Sequence, residues 1–423
     1  MKRIMLIASI FGFVSLVCAV SNLYAVTYGP EFMINTSTNS NTYPDIAMDA
    51  NGNSIVVWSS RIDGSYSYDD VFGQRYDSSG LRVGNEFRIN TDTQSSQNNP
   101  EVGMDSNGNF LVVWVSQEDL SGPSYEDVFG QRYDSSGNKV GGEFRVNTTT
   151  ALFQYFPSVA TSSNGASVAV WQSLTGSAFA IKGQRYDSSG NPQGSEFQVS
   201  PISSADHERT KVAMDANGDF VVTWHDYYGV YTQRYDSIGN PLGDRVFTID
   251  RANPSVAMNP DGSFVVVYDG WIEAENWALD IAGQRYDSSG NPIGSEFRVN
   301  TSNTGGYFFP DVTVNPKTGE FIIAWTGDKG WGVAGANIYV QQYDSSGNKV
   351  GTQYKLNETT FSAEQPYVAV AWDGIFAVYG PDINGDIMGK MGQTDEGPVV
   401  PEPATIISAL LGLAGFAVKK FRK

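Results

Sequence analysis

Aromatic side chains stand beside carboxylates in several irregular segments of this 423-residue chain. An aromatic ring can stack on the apolar face of a sugar, and a neighbouring carboxylate can accept hydrogen bonds from the sugar hydroxyls. We therefore predict a glycan-binding face formed by Tyr66, Tyr68, Tyr125, His225, Tyr227, Tyr228, Trp271, Trp277, Tyr307 and Trp331. The alternative interpretation is that these rings only cover the ends of the hydrophobic core.

Two short segments have the acids and amides of a calcium-binding loop. One contains Asp215, Asn217 and Asp219, and the other contains Asp382, Asn384 and Asp386. Calcium takes roughly six to eight oxygen ligands, and neither segment is followed by the distal glutamate of an EF-hand. A plain hairpin turn is the favoured interpretation. We predict no cofactor, with calcium as the weaker alternative.

The chain has two histidines, His207 and His225, which the repeat places in one unit. A metal site or an acid–base pair is one interpretation, and two solvated loop histidines is the favoured one. The sequence contains no nucleophile elbow, zinc signature or phosphate-binding loop. We predict a non-catalytic binding or structural protein. The alternative is a polysaccharide-active hydrolase or lyase that uses loop carboxylates, because the separation of two acids in space is not visible in a sequence.

A phrase close to Gln-Arg-Tyr-Asp-Ser-Ser-Gly-Asn occurs six times, starting at Gln74, Gln131, Gln184, Gln233, Gln284 and Gln341. An interval of about 50 residues is typical of propellers and repeat arrays. Each unit contains four apolar runs separated by Asn-Gly or Ser-Gly turns, as expected for four antiparallel strands. The repeated rings at Phe87, Phe144, Phe197 and Phe297 are predicted to be core. Five arginines recur in the same phrase and are predicted to pair with acids of neighbouring blades: Arg75, Arg132, Arg185, Arg234 and Arg285.

Seven second strands can be counted, ending at Trp58, Trp114, Trp171, Trp224, Tyr268, Trp325 and Tyr379. The seventh unit lacks a fourth strand, whereas residues 29–36 match a fourth strand without a unit before it. The chain resembles seven-bladed β-propellers, so we predict an all-β ring over residues 26–394, closed by the N-terminal strand. The alternative is an open array of sandwich domains. The turns within strand pairs are uniform and the other connections vary, so the variable face should carry any binding site.

The two ends of the chain are predicted to be targeting segments. Residues 1–25 have the basic start, apolar run and Ala25 cleavage site of a signal peptide, with a retained anchor as the alternative. Residues 395–400 form a linker. Pro401, Glu402 and Pro403 are followed by an apolar run to Val418 and a basic tail, as in a short membrane helix.

This C-terminal end resembles the PEP-CTERM sorting signal of Gram-negative bacteria. The resemblance covers residues 401–423 and implies that an exosortase-like enzyme cuts the tail away. It also implies transient tethering to the inner membrane, delivery to the cell surface or extracellular matrix, and a link to exopolysaccharide and biofilm. A plain C-terminal membrane anchor is the alternative.

Composition limits the partners. The chain has 46 acidic and 27 basic residues, for a formal net charge of −19. Such a field repels nucleic acid, so none is predicted as a partner. The only cysteine, Cys18, lies in the predicted signal peptide, and the mature protein would contain no disulfide. We predict an exported propeller that binds a glycan or a matrix protein.

Overall fold

The computed structural model describes residues 26–36, 40–61, 68–118, 125–150, 152–203, 208–270, 279–301, 306–327, 337–358, 365–370, 374–380 and 385–394. The regular elements in these ranges are β-strands, which form seven antiparallel sheets. None of the described residues belongs to a helix long and apolar enough to cross a membrane. The predicted signal peptide, with Ala25, and the predicted sorting signal, with Pro401, Glu402 and Pro403, lie outside the described residues.

The strands follow one another in sets of four. The first two are β1 (Val26–Tyr28) and β2 (Phe32–Met33). Blade 1 contains β3 (Asn41–Met48), β4 (Ser54–Arg61), β5 (Asp69–Tyr76) and β6 (Arg82–Arg88). Blade 2 contains β7 (Gln97–Met104), β8 (Phe110–Glu118), β9 (Tyr125–Tyr133) and β10 (Lys139–Arg145). Blade 3 contains β11 (Gln154–Thr161), β12 (Ser167–Thr175), β13 (Ala178–Tyr186) and β14 (Phe197–Gln198).

The later blades repeat the pattern. Blade 4 contains β15 (Glu208–Met214), β16 (Phe220–Asp226), β17 (Gly229–Tyr235) and β18 (Pro241–Ile249). Blade 5 contains β19 (Arg251–Met258), β20 (Phe264–Gly270), β21 (Asp280–Tyr286) and β22 (Pro292–Arg298). Blade 6 contains β23 (Phe308–Val314), β24 (Phe321–Gly327), β25 (Asn337–Tyr343) and β26 (Lys349–Lys355). Blade 7 contains β27 (Gln365–Val370), β28 (Gly374–Gly380) and β29 (Met388–Thr394).

The first strands of the blades form an inner ring. Each contacts the first strand of the next blade, from β3 through β7, β11, β15, β19 and β23 to β27, and β27 contacts β3. This arrangement confirms the predicted all-β class and the seven blades. Because each chain segment enters its blade at the first strand, these strands line the central channel.

Both N-terminal strands pair with β29. Tyr28 lies opposite Gly392, and Phe32 lies opposite Gly389. The Asn35 side-chain oxygen accepts a hydrogen bond from the Ile387 N–H at 2.7 Å. In blade 5, the Asn300 side chain accepts from the Ile281 N–H in the same way, at 2.9 Å. Residues 26–35 thus pair along β29 and make one side-chain contact of the kind that Asn300 makes in blade 5.

The repeated phenylalanines pack inside and between blades, which confirms their prediction as core. The Phe297 ring lies over Gly283 of its own blade, where an added Cβ would come within 2.7 Å of the ring. Its other side faces Tyr343 of blade 6, with ring centroids 5.4 Å apart. In blades 1, 2, 3 and 5 a glycine of the third strand therefore makes room for the phenylalanine of the fourth strand: Gly73, Gly130, Gly183 and Gly283.

The sequence predicted that the repeated arginines pair with acids of neighbouring blades. In the structure their main partners are not acids. Each reaches the hairpin turn of the next blade and donates to backbone carbonyls. Arg75 bonds to Ser136 O at 2.6 Å, and Arg185 bonds to Ser237 O at 2.7 Å. Acids are not the partners because the guanidinium groups reach the inside of the turn, where the carbonyls converge. Blade 6 has Gln342 here, and the sequence after Thr394 has no further Asp-Ser-Ser-Gly turn to hold.

Arg132→Ala is expected to lower the free energy of unfolding by about 1–2 kcal/mol, because a charged donor to the Ser188 carbonyl is lost. Gln342→Ala, the same position in blade 6, should change it by less than about 0.5 kcal/mol. Chemical denaturation of both variants measures the difference. Equal losses would contradict the interblade role of the arginines.

The second strands continue past the residues at which they were predicted to end. β4 extends to Arg61 and β16 to Asp226, because pairing with the third strand continues to Asp69 and Gly229. His225, predicted to lie in a loop, is therefore a strand residue, as is Asp226.

Candidate functional site

Six blades place a non-glycine residue in the left-handed conformation at the same point of the first strand. These residues, which we term the mouth ring, have φ between 47° and 53°: Tyr43, Asn99, Phe156, Arg209, Asn253 and Phe309. At each of them the pairing of the first and second strands shifts register. The mouth ring surrounds the opening of the channel on the variable face, because each first strand begins there.

This conformation is costly for residues with a bulky side chain, and such strain is concentrated at functional sites in proteins. The sequence contained a signal for it that our interpretation missed. Proline follows five of the six residues, as Pro44, Pro100, Pro157, Pro254 and Pro310. A proline repeated inside a strand marks a bulge, and a bulge turns the preceding side chain to a new direction.

The exposed aromatic rings of the mouth ring are Tyr43, 42% exposed, and Phe156, 39% exposed. Phe309 lies under the guanidinium group of Arg209, whose carbon is 4.3 Å from the ring centroid. This contact joins blades 4 and 6 over blade 5. Aromatic faces and hydrogen-bonding groups therefore share one opening.

A second polar layer lies two residues further along each first strand. We term it the floor layer: Asp45, Glu101, Ser158, Lys211, Ser255 and Asp311. The Lys211 ammonium is 2.6 Å from a Glu101 carboxylate oxygen. These residues belong to blades 4 and 2, which are not neighbours, so the ion pair crosses the channel. The mouth ring thus surrounds an opening that this ion pair crosses at the level of the floor layer.

The floor layer holds three carboxylates and one ammonium group. Burial raises the pKa of Asp45 well above its ordinary value, and the nearby Glu101 charge raises it further. Burial likewise raises the pKa of Glu101, although Lys211 opposes the shift. Asp45 also accepts a hydrogen bond from the Val102 N–H at 2.7 Å, which ties blade 1 to blade 2.

Asp269 connects the mouth ring to the second strand of blade 5. Its Oδ2 accepts hydrogen bonds from the Asn253 side chain at 2.8 Å and from the Phe309 N–H at 3.0 Å. Only 2% of the residue is exposed, and burial raises its pKa to about 7. The charge of Arg209 opposes that shift. One carboxylate therefore touches or influences three of the six mouth-ring residues.

No other blade has an acid at the position of Asp269. The equivalent residues follow the last large ring of each second strand: Ser59, Val115, Gln172, His225, Thr326 and Gly380. Arg209 is likewise the one charged member of the mouth ring. The sequence analysis missed Arg209 and Asp269 because each departs from the repeat. Equivalent positions of the blades can be compared only after the topology has aligned them.

Tyr227 and Tyr228 form the two-residue turn between β16 and β17. They are 91% and 61% exposed, and their ring centroids lie 5.5 Å apart at an interplanar angle of 86°. Asp226 fixes the turn, because its Oδ1 accepts a hydrogen bond from the Tyr228 N–H at 2.8 Å. Two rings of the predicted face are therefore available to a partner.

The remaining predicted residues are placed differently. Tyr307 was predicted to lie on the binding face, and this is wrong: it is 0% exposed, in a core cluster with Trp325. Its ring fits there because Gly327 has no Cβ to obstruct it. Tyr68 is partly exposed just before β5, Tyr125 begins β9, and His225 is partly buried in β16. Outside the described residues lie Tyr66, His207, Trp271, Trp277 and Trp331.

The Asp215 segment forms a hairpin turn. The Asp215 Oδ1 accepts from the N–H groups of Asn217 and Asp219 at 2.8 and 2.9 Å, and Asp219 accepts from the Ser237 N–H. In the other segment Asp386 accepts from the Asn35 side chain at 2.8 Å, while Asp382 and Asn384 lie outside the described residues. Within the described part of the chain, no cluster of three or more His, Cys, Asp or Glu side chains is arranged to hold a metal ion.

Comparison with known proteins shows what this fold is similar to. No protein-family model matches the chain, and no curated protein matches it. A protein of unknown function from Dyadobacter fermentans is 10% identical, with a TM-score of 0.52 over 87% of this chain and 99% of that one. The polysaccharide lyase Uly1 is 10% identical, with a TM-score of 0.51 over 83% of this chain and 90% of that one.

The Dos1 propeller is 11% identical, with a TM-score of 0.50 over 88% of this chain and 96% of that one. These similarities agree with the seven-bladed architecture. At this identity they concern the fold alone, which does not determine function.

Proposed function

We propose that this chain is an exported propeller that binds a glycan at the mouth ring and acts as a non-catalytic module at the cell surface or in the extracellular matrix. The observation that carries the proposal is the repeated left-handed residue around the channel opening, which presents Tyr43 and Phe156 to solvent. Aromatic faces stack on sugars, and Asn99, Asn253 and Arg209 supply hydrogen-bonding groups for hydroxyls. The Lys211–Glu101 ion pair crosses the channel beneath the mouth ring, so the proposed ligand is a chain end or a short segment of polysaccharide that rests on the opening.

The double variant Tyr43→Ala with Phe156→Ala is expected to weaken glycan binding at least about tenfold, because two stacking surfaces are lost. Binding is measured by calorimetry with a ligand chosen from a glycan array. The matched control removes two exposed apolar side chains from the uniform face, Leu81→Ala with Ile238→Ala, and should bind as the parent protein does. A propeller that binds no glycan on the array would overturn the proposed function.

The targeting part of the proposal is supported by the sequence of the two ends. A signal peptide ending at Ala25 would direct export, and Pro401, Glu402 and Pro403 would present the tail to an exosortase-like enzyme. The apolar run that follows would tether the chain to the inner membrane until it is cut. Mass spectrometry of the secreted protein tests this, since a mature chain that retains residues 404–423 would contradict processing.

A polysaccharide-active enzyme is the second candidate function. It is favoured by Asp269, a carboxylic acid at the mouth ring whose pKa of about 7 suits proton transfer near neutral pH. Release of new reducing ends from the producer's own polysaccharide would support it. Binding without such release supports the non-catalytic function.

We also propose that residues 26–36 hold the ring closed. Ile34 is fully buried, and the Tyr379 hydroxyl donates to a Glu31 carboxylate oxygen at 2.7 Å. The Tyr28 ring stacks on Tyr354 of blade 6 at 4.9 Å. These contacts would join the two ends of the chain and leave β29 without an open edge.

A further inference from the structure

We infer that the mouth ring selects acidic saccharides, those that carry uronate carboxylates, and that Asp269 makes this selection depend on pH. The inference rests on the proposed glycan-binding function and names the ligand class and regulation of the same site. It stands on the placement of one guanidinium group and one carboxylate at the opening of the channel.

Arg209 gives the mouth ring its preference for an anion. The other five members of the mouth ring are uncharged, so Arg209 is the charged residue within that set of six. Guanidinium binds a carboxylate with two parallel hydrogen bonds, a geometry that a neutral hydroxyl cannot match. The cation–π contact with Phe309 holds the group beside an aromatic face, where a sugar ring would stack.

Asp269 opposes this preference when it is ionised. Its negative charge and the positive charge of Arg209 act on each other. A ligand carboxylate at Arg209 would therefore be repelled by an ionised Asp269 and not by a protonated one. Protonation on Oδ1 leaves Oδ2 able to accept from Asn253 and Phe309, so the mouth ring keeps its shape while its charge changes.

Other titratable groups on the strands around Asp269 include Lys211, His225, Asp226, Arg251, Asp280, Arg285 and Asp311. Arg251 pairs with Glu296, Asp280 with Arg298, and Lys211 with Glu101. Asp311 accepts a hydrogen bond from Ser255. His225 needs its own control, because histidine is the residue type whose ordinary pKa lies closest to neutral pH.

The acidity of the whole protein does not cancel the local preference. The net charge of −19 is spread over the chain, and at 0.15 M salt the Debye length is about 8 Å. Distant carboxylates are screened, whereas Arg209 and Asp269 act directly at the ligand. Binding should therefore be compared at this ionic strength.

The test uses the full propeller and a printed array of oligosaccharides in matched pairs, one member with uronate and one with the neutral sugar, at pH 5.5 and pH 8.5. Calorimetry then quantifies the best-bound pair. The uronate member should bind about tenfold more tightly at pH 5.5 than at pH 8.5, and the neutral member should be unchanged. Uronates stay ionised at both values, so the change reports the protein.

Three variants assign the effect. Arg209→Gln should lose at least about tenfold in affinity for the uronate and much less for the neutral sugar, because glutamine still donates hydrogen bonds to hydroxyls but carries no charge. Asp269→Asn should bind the uronate at pH 8.5 as the parent does at pH 5.5. His225→Gln should keep the parent's pH dependence.

A uronate preference that is absent, insensitive to pH, or unchanged in Arg209→Gln would overturn this inference while glycan binding itself stands. Loss of the pH dependence in His225→Gln would overturn the inference as well, because His225 would then be the group that responds to pH. Binding of neither member of any pair would overturn the proposed function together with it.

Discussion

A chain that begins at residue 37 should unfold roughly 10 °C or more below a chain that begins at residue 26. The shorter chain loses the buried Ile34 side chain, the Tyr28–Tyr354 stack and the hydrogen bonds of Asn35 to blade 7. Burial of one large aliphatic side chain alone contributes about 1.5–3 kcal/mol. Removal of residues 26–36 also exposes β29 as an edge strand, which invites aggregation. Thermal unfolding followed by circular dichroism measures the difference.

The matched control shortens the other end. A chain of residues 26–394 should melt with the full-length mature chain, because the strands of blade 7 end at Thr394. A synthetic peptide of residues 26–36 added to the shortened protein should restore part of the stability by strand addition. If the chain that begins at residue 37 melts unchanged, the N-terminal segment does not hold the ring closed.

The propeller should become more stable as the pH falls from 8 to 5. Asp45, Glu101 and Asp269 have pKa values raised above those of the unfolded chain, mainly by burial. Between the unfolded and folded pKa values the folded protein binds more protons, so the free energy of unfolding rises as the pH falls. For Asp269, whose pKa is about 7, the gain from pH 8 to 5 is about 2–3 kcal/mol.

The trend should reverse below about pH 4. Hydrogen bonds from Asn138, Asn191 and Asn291 lower the pKa values of the turn acids Asp134, Asp187 and Asp287. A carboxylate with a lowered pKa stabilises the fold above its unfolded pKa of about 4, and that contribution is lost as the pH falls through the folded value. A maximum of stability between about pH 4 and pH 5 is therefore expected.

Asp269→Asn separates the buried group from the general effect of charge. The variant should melt above the parent at pH 8 and together with it at pH 5, because it no longer buries an ionised carboxylate. Asp244→Asn, which makes the same change of charge at an exposed position on β18, should follow the parent's profile. A parent protein whose stability rises as the pH rises from 5 to 8 would contradict the raised pKa values of Asp45, Glu101 and Asp269.

The repeat was enough to predict the architecture. Tyr76 and its five counterparts set an interval, the Asn-Gly and Ser-Gly turns set hairpins, and the seven second strands counted the blades. These predictions succeeded because hairpins and strand alternation are local properties of a sequence. The phenylalanine at the position of Phe297 was assigned to the core for the same reason, since a large apolar residue repeated in four units indicates packing.

The chemistry of the channel was decided by tertiary structure. Arg209 and Phe309 are 100 residues apart in sequence, and Glu101 and Lys211 are 110 apart. Only the ring of seven blades brings residues so far apart in sequence together. The sequence predicted an exposed Tyr307 ring, but Gly327 on β24 leaves the space in which this ring is buried. The sequence by itself determined the seven blades, because pairing within a blade is local, and only closure of the ring decided which side chains meet at its centre.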